Sequence, residues 1–401
     1  MKKIYLLIAV VFMTLSLGAP HGALAYDLGG VQIHGFVSQG FLYSDDYNYL
    51  ANDTKDGSFE YNEMGINFGK QLTDKLRIGL QLFSRDLGDA ANNKVTVDWA
   101  YADYRWQDYL GLRAGRIKLP MGLYNETRDM DMLRTSIVLP QGIYNDLLRD
   151  NLIAINGVGL YGNTRMGGAG SLDYQALVGV VQTDPDSGVN KLTNDGLSSV
   201  QGQVTGSPQN DTSYVGALRW ETPLSGLKLG YSIFYETDVI MPISILDGAI
   251  QTSFEGPVTI QIASIEYTWR NLVVAAEYMH RRADSTILSN QRITKAESYY
   301  LMASYRFNDW FTLGSYYSEF YPDTEDKDGS EATVNNVPCS HRAWEKDLAL
   351  TLRFDINDYW VFKIEGHSVN GTANVIVLDN PGNDFADSQW YYGAAKLSFS
   401  F

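Results

Sequence analysis

The sequence predicts an all-β protein, a transmembrane antiparallel β-barrel of about 16 strands with short turns at one end and long loops at the other. Three observations predict it. Runs of about ten residues that alternate apolar and polar recur along the chain. The connections between them alternate short and long. Aromatic residues make up 13% of the chain, with 27 Tyr and 8 Trp, yet beyond the leader no apolar run reaches the ~20 residues a spanning helix needs. A membrane chain without such helices must close its strands into a barrel, because lipid offers no partner for an unpaired backbone group.

The chain opens with Lys2 and Lys3, an apolar stretch over 4–17 and a small-x-small site at Ala23-Leu24-Ala25. This is the pattern of a secretory signal peptide, residues 1–25, leaving a barrel over 26–401. The apolar stretch is too short for a membrane anchor. The full chain carries 31 bases and 47 acids; without the two leader lysines the net charge is −18, from 29 against 47. With only 11 Pro and 37 Gly the composition is not that of a disordered chain. The single Cys339 excludes an intrachain disulfide framework and a covalent haem motif.

The alternating segments lie near 31–43, 58–71, 75–86, 94–106, 109–118, 151–163, 169–183, 211–221, 225–238, 257–269, 271–283, 294–306, 309–321, 343–356, 359–369 and 387–401. Their number is even, as single-chain bacterial barrels require. In 75–86, Leu76, Ile78, Leu80 and Leu82 oppose Arg77, Gln81 and Arg85. In 343–356, Leu348, Leu350, Leu352 and Phe354 oppose Asp347, Thr351, Arg353 and Asp355. In 359–369, Trp360, Phe362 and Ile364 oppose Lys363, Glu365 and His367. The short connections, such as Leu72-Thr73-Asp74, Thr222-Pro223-Leu224 and Asn357-Asp358, are rich in turn formers. The long ones fall near 44–57, 87–93, 119–150, 184–210, 239–256, 284–293, 322–342 and 370–386. Trp106, Tyr109, Trp220, Trp269, Trp310, Tyr359 and Trp360 cluster by the short turns, as an interfacial girdle does. About sixteen strands enclose an aqueous channel, where about eight would be filled by side chains.

The last segment, Trp390 to Phe401, reads WYYGAAKLSFSF. Its odd positions are apolar and its even positions mixed, and it must pair with the segment near Val31 to Tyr43 to remove both sheet edges. A final strand ending on Phe resembles the C-terminal signature of bacterial outer-membrane β-barrels. The segment Gly115-Arg116-Ile117-Lys118-Leu119-Pro120-Met121-Gly122-Leu123-Tyr124-Asn125-Glu126 looks like the strand-to-loop segment of Gram-negative outer-membrane porins, including the phosphate-selective type. The resemblance implies a third loop folded into the lumen, a homotrimer, and passive passage of small hydrophilic solutes through a cell outer membrane.

The loop at 119–150 is long, and it carries Met130, Leu133, Ile137, Val138, Leu139, Ile143 and Leu147, which open solvent disfavours. It is expected to fold inward on the barrel wall; a rim cap or a flap against a neighbouring subunit is the alternative. Glu126, Arg128, Asp129, Asp131 and Arg134 on this loop are candidate constriction residues. Arg77, Arg85, Arg113, Arg116 and Lys118 are candidate bases of the facing wall. Acids opposed to bases set up a transverse field that filters solutes by size and charge; the alternative is that these charges pair structurally. Counted over the inward faces, ten bases (Arg77, Arg85, Arg113, Arg219, Lys228, Arg281, Arg306, Arg353, Lys363, Lys396) stand against six acids (Asp98, Glu236, Glu277, Asp347, Asp355, Glu365). A weak anion preference beneath acidic outer loops follows.

An enzyme is not expected. The sequence has no Gly-x-Ser-x-Gly elbow and no His-Glu-x-x-His helix, and Cys339-Ser340-His341 supplies at most half a metal site. No cofactor, metal or nucleic-acid partner is expected; membrane lipid and lipopolysaccharide are. The rival function is a porin-like barrel serving as a sheath for a partner such as a multihaem cytochrome, which an inward loop would obstruct.

Overall fold

The computed structural model describes residues 26–184 and 186–401. The leader expected over 1–25 lies outside the described residues. The chain forms a closed barrel of 16 antiparallel strands. In chain order they are Val31–Ser44, Asn62–Gln71, Leu76–Asp86, Thr96–Gln107, Leu110–Lys118, Ala154–Arg165, Ser171–Val180, Ser213–Glu221, Leu227–Ile245, Ile250–Trp269, Leu272–Ile287, Asn290–Arg306, Phe311–Tyr321, Glu345–Asp355, Trp360–Gly371 and Gln389–Ser400. Each pairs with its neighbours in sequence, and the last closes on the first with Phe36 opposite Ser400 and Ser44 opposite Tyr392. Among the described residues no helix is long and apolar enough to cross a membrane.

The two faces separate as the alternation requires. In the last strand Trp390, Tyr392, Ala394, Lys396 and Ser398 are buried inside, while Gln389 and Tyr391 are exposed outside. The outer surface is an apolar belt: Leu80, Leu112, Leu160, Leu218, Ile265, Leu301, Leu350 and Ile364 are all exposed. At the short-turn end Trp106, Tyr109, Trp269 and Trp310 are exposed, and Trp310 stacks 6.3 Å from Phe354. An outward apolar wall beneath an aromatic ring suits a lipid core bounded by its headgroups.

The structure corrects two of the expected long loops. The connections at 239–256 and 284–293 are continuous hairpins. The ninth and tenth strands run to Ile245 and from Ile250, and the eleventh and twelfth are joined by Leu288 and Ser289. Both turn residues have positive φ, 48° and 72°, the backbone of a two-residue hairpin turn whose twist matches the strands. Leu and Ser are poor markers for that turn, and Pro242 reads as a break. Its missing N–H does no harm here, and its carbonyl accepts the Thr205 amide at 2.9 Å. A bulge between Glu236 and Val239 separates this extension from the wall below.

Most of the remaining long connections fold over the mouth and pack on part of the segment 119–150. Tyr47, Tyr49, Ile137, Val138, Leu147, Cys339, Val375, Ile376, Phe385 and Trp390 share one buried apolar cluster. Residues Gly188–Leu197 form a helix within the connection after the seventh strand.

Candidate functional site

The segment between Lys118 and Ala154 has almost no regular structure, only a short turn of helix at Asp131–Leu133 and another at Arg149–Leu152. Its contacts trace a winding course round the interior. Leaving the fifth strand, Gly122 N–H donates to Ser232 at 3.0 Å and Leu123 N–H to Glu277 at 2.9 Å, on the ninth and eleventh strands. The chain then turns back: Glu126 pairs with Arg219 at 2.8 Å and Asp129 with Lys118 at 3.0 Å. It next reaches the last two strands, where Asp131 lies 3.0 Å from Lys363 and accepts from Ser398 at 2.7 Å. The amides of Ile137 and Val138 both donate to Glu365 at 2.8 Å. Tyr144 donates its hydroxyl to Glu277, which also accepts from Tyr300 at 2.8 Å. The return limb ends beside the third and fourth strands, with Asp150 3.1 Å from Arg85 and Arg149 2.6 Å from Asp98. Ile137, Val138 and Leu139 are buried along this course, as apolar side chains must be to offset the ordering of so long a segment.

Local geometry places the charges. Gly115 has φ +133°, and a side chain there would collide with the Ala100 carbonyl; only glycine takes this backbone without strain. Beyond this kink Arg116 donates to the Asp98 carbonyl at 3.0 Å, Ile117 is buried, and Lys118 reaches Asp129. On the fourth strand a register shift pairs Gln81 with Trp99 but Leu82 with Val97. The extra residue, Asp98, is 1% exposed and accepts from Gln81 at 3.1 Å. A bulge re-aims one side chain in this way.

The sequence-nominated loop charges lie inside the barrel, mostly in ion pairs. Arg128 is buried and lies 2.8 Å from Asp146. Asp129 is shared by Lys118 and Arg149. Arg134 donates to the carbonyls of Ser136 and Ile137 at 3.2 and 3.0 Å. Of the nominated wall bases, Arg85 and Lys118 touch the loop. Arg113 pairs with Asp103 at 2.9 Å on its own wall and sits over the Tyr161 ring, and Arg77 is exposed nearer the short-turn end. The bases that hold Asp131 are Lys363 and Lys396, inward-facing by alternation but far from the loop in sequence. Arg149, on the loop's return limb, is held by Asp98, Asp129 and Asp150 at 2.6, 2.7 and 3.2 Å. Its signal was the charged return limb Asp146 to Asp150, whose spacing does not reveal which wall it meets.

Two cavities remain beside the loop. One of about 560 Å³ opens toward the long loops and is lined by Arg85, Asp98, Arg116, Arg149 and Asp150 among others. The other, about 680 Å³, opens toward the short-turn end and is lined by Arg77, Gln81, Trp99, Arg113, Lys118 and Phe401 among others.

Asp129, Asp131 and Asp150 are held ionised. Burial pushes the Asp129 carboxyl up, but Arg149 and Lys118 more than offset this and leave it well below the usual range. Burial likewise opposes, and Lys363 and Lys396 outweigh, the shift at Asp131; Arg85 and Arg149 do the same for Asp150. A carboxyl whose folded pKa is depressed adds stability that is fully present above its unfolded value, about 3.9. That stability is lost as pH falls through the folded value. The loop is therefore expected to stay clamped from neutral pH down to about 4 and, on the acid side, to loosen only below that. Single-channel conductance recorded across that range checks this; a change of state already at pH 5–6 contradicts it.

No family model matches the chain. Over 140 residues it is 25% identical to an uncharacterized protein of Aquifex aeolicus (strain VF5), a match covering 33% of this chain and 29% of that protein, so the match spans less than a third of that relative. Solved structures are similar over nearly the whole length. The anion-selective porin from Comamonas acidovorans superposes with a TM-score of 0.58 at 12% identity, covering 92% of this chain and 99% of that one. The outer membrane channel DcaP of Acinetobacter baumannii gives 0.56 at 10% identity, covering 92% and 97%. The trimer form of OmpT, an outer membrane protein of Vibrio cholerae, gives 0.56 at 11% identity, covering 94% and 100%. The likeness is one of fold: the closed antiparallel β-barrel that these outer-membrane proteins share.

Proposed function

We propose that this protein is an outer-membrane porin through which small hydrophilic solutes diffuse passively, without catalysis, and that it assembles as a homotrimer within a lipopolysaccharide-bearing membrane. The observation that carries the reading is a closed barrel, apolar outside and charged inside, whose long third connection winds through the lumen and still leaves large water-accessible cavities toward both ends. We place the constriction where the loop charges approach the wall: Asp129 beside Lys118, Asp150 beside Arg85, Glu126 beside Arg219 and Asp131 beside Lys363. The buried loop occupies space that a protein threaded through the lumen would need, which favours diffusion over a sheath.

The selectivity we infer is weakly anionic. The loop acids neutralise much of the basic wall: Asp150 faces Arg85, Glu126 faces Arg219, and Asp131 faces Lys363 and Lys396. Arg77 and Arg116, which line the two cavities, have no carboxylate within ion-pair distance among the described residues. A small positive excess along a wet path favours anions modestly. Purified protein in a planar bilayer is expected to give discrete conductance steps, and in a KCl gradient a reversal potential displaced modestly toward that of chloride. Clear cation selectivity contradicts the anion preference, and the absence of any conductance contradicts the porin.

A further inference from the structure

The two cavities share the third to fifth strands, whose neighbouring residues line one or the other. On the fourth strand Asp98 lines the cavity under the long loops, and its neighbour Trp99 lines the cavity at the short-turn end. On the fifth strand Arg116 lines the first and Lys118 the second. The partition is a four-membered ring of charge. Arg149 bonds Asp98 at 2.6 Å and Asp129 at 2.7 Å; Lys118 lies 3.0 Å from Asp129 and 3.5 Å from Asp98. Asp98 and Asp129 have side chains 1% exposed, Arg149 has 3% and Lys118 has 13%, so the ring is largely shielded from water. Asp98 and Lys118 belong to the wall, whereas Asp129 and Arg149 belong to the loop.

We propose that this quartet is the gate of the pore, and that solutes cross where Arg149 parts from Asp98, along an off-centre path beside the third to fifth strands. The inference rests on the porin reading. It adds two residues, Asp98 and Arg149, as determinants of passage and of ion choice. Two fixed acids and two fixed bases make the quartet formally neutral, so the intact gate adds little selectivity of its own. Removing one member leaves a net charge at the narrowest point, and its sign depends on which member is removed. A narrow ring carrying one sign of charge selects the opposite ion.

The test is reversal potential and single-channel conductance of the full mature chain in planar bilayers under a KCl gradient. Asp98→Asn leaves Lys118 and Arg149 against Asp129, and is expected to shift the reversal potential toward chloride. Arg149→Gln leaves Lys118 against two acids, and is expected to shift it toward potassium. Both are expected to raise conductance at least twofold. A loop merely loosened by lost packing gives no such opposite displacement. A second measurement leaves the quartet intact. With Cys339→Ser as background, cysteines replacing Thr96 in the upper cavity and Tyr101 in the lower one are labelled with a bulky thiol reagent. Labelling at either is expected to cut wild-type-like conductance by more than half. Labelling at Ser304→Cys, beside a separate cavity near Arg270 and Arg353, is expected to leave it unchanged. A conducting wild type whose reversal potential moves the same way in both variants, or not at all, overturns the gate. So does block from Ser304 alone. If neither wild type nor variants conduct, the porin reading falls and takes the gate with it.

Discussion

Asp131→Ala is expected to destabilise the folded barrel by about 3 kcal/mol or more, the usual cost of stranding a buried charge. The Asp131 side chain is 1% exposed and that of Lys363 is 0% exposed. Lys396 keeps a second carboxylate, Glu63 at 2.6 Å. Lys363 has no other among the described residues, only the carbonyls of Asp131 and Ser136 at 2.6 and 3.3 Å. Removing the acid therefore leaves an ammonium in a dry site with neutral acceptors alone. Urea titration of refolded protein in detergent, or the temperature at which the compact band is lost on a denaturing gel, measures the loss. The double variant Asp131→Leu with Lys363→Met is expected to recover most of it, because two apolar groups of similar volume avoid the desolvation cost. A single variant as stable as wild type would mean that the loop is not held at this point.

Deletion of Phe401 is expected to impair assembly far more than conductance. The residue closes the seam: Gly35 N–H donates to the Phe401 carbonyl at 3.1 Å and Phe401 N–H to the Gly35 carbonyl at 3.0 Å. Its ring lies over Gly35, so close that a Cβ on residue 35 would fall within 2.5 Å of it. Two backbone hydrogen bonds at about 1 kcal/mol each go with the residue, as does part of the ~1.5–3 kcal/mol of a buried aromatic side chain. The sheet edge at the first strand is then open for part of its length. The yield of folded protein inserted into vesicles is expected to fall several-fold, and channels that do insert are expected to conduct as wild type does. Gly35→Leu, which displaces the ring and leaves the terminal residue in place, is expected to reproduce the defect in milder form. Unimpaired insertion of the truncated chain would separate the terminal residue from assembly.

Much of the barrel was legible because a strand with lipid on one side and water on the other writes its two environments into alternate residues. The number of strands, the short turns, the inward set Lys363, Glu365 and His367, and the pairing of the last strand with the first all follow from that period of two. The extended hairpins were not legible. Above the lipid the outward face no longer has to be apolar, and turns built on Leu288 and Ser289 or interrupted by Pro242 carry no compositional flag.

The site divides along the same line. The loop announced itself by carrying Ile137, Val138 and Leu139 where solvent should be, and its charges could be named. Their partners could not. Bases near the loop in sequence were the natural candidates, and two of them, Arg85 and Lys118, do touch it. The acid at the loop's far reach instead meets Lys363 and Lys396, more than two hundred positions away, because barrel closure brings the last strands round beside the first. Asp98 is inward in the sequence reading, but it meets Arg149 through a one-residue bulge that the alternation does not announce. Alternation is a local property that each strand carries in its own residues. Which charges meet across a lumen depends on closure, bulges and the course of one irregular segment, and these follow from the whole sheet.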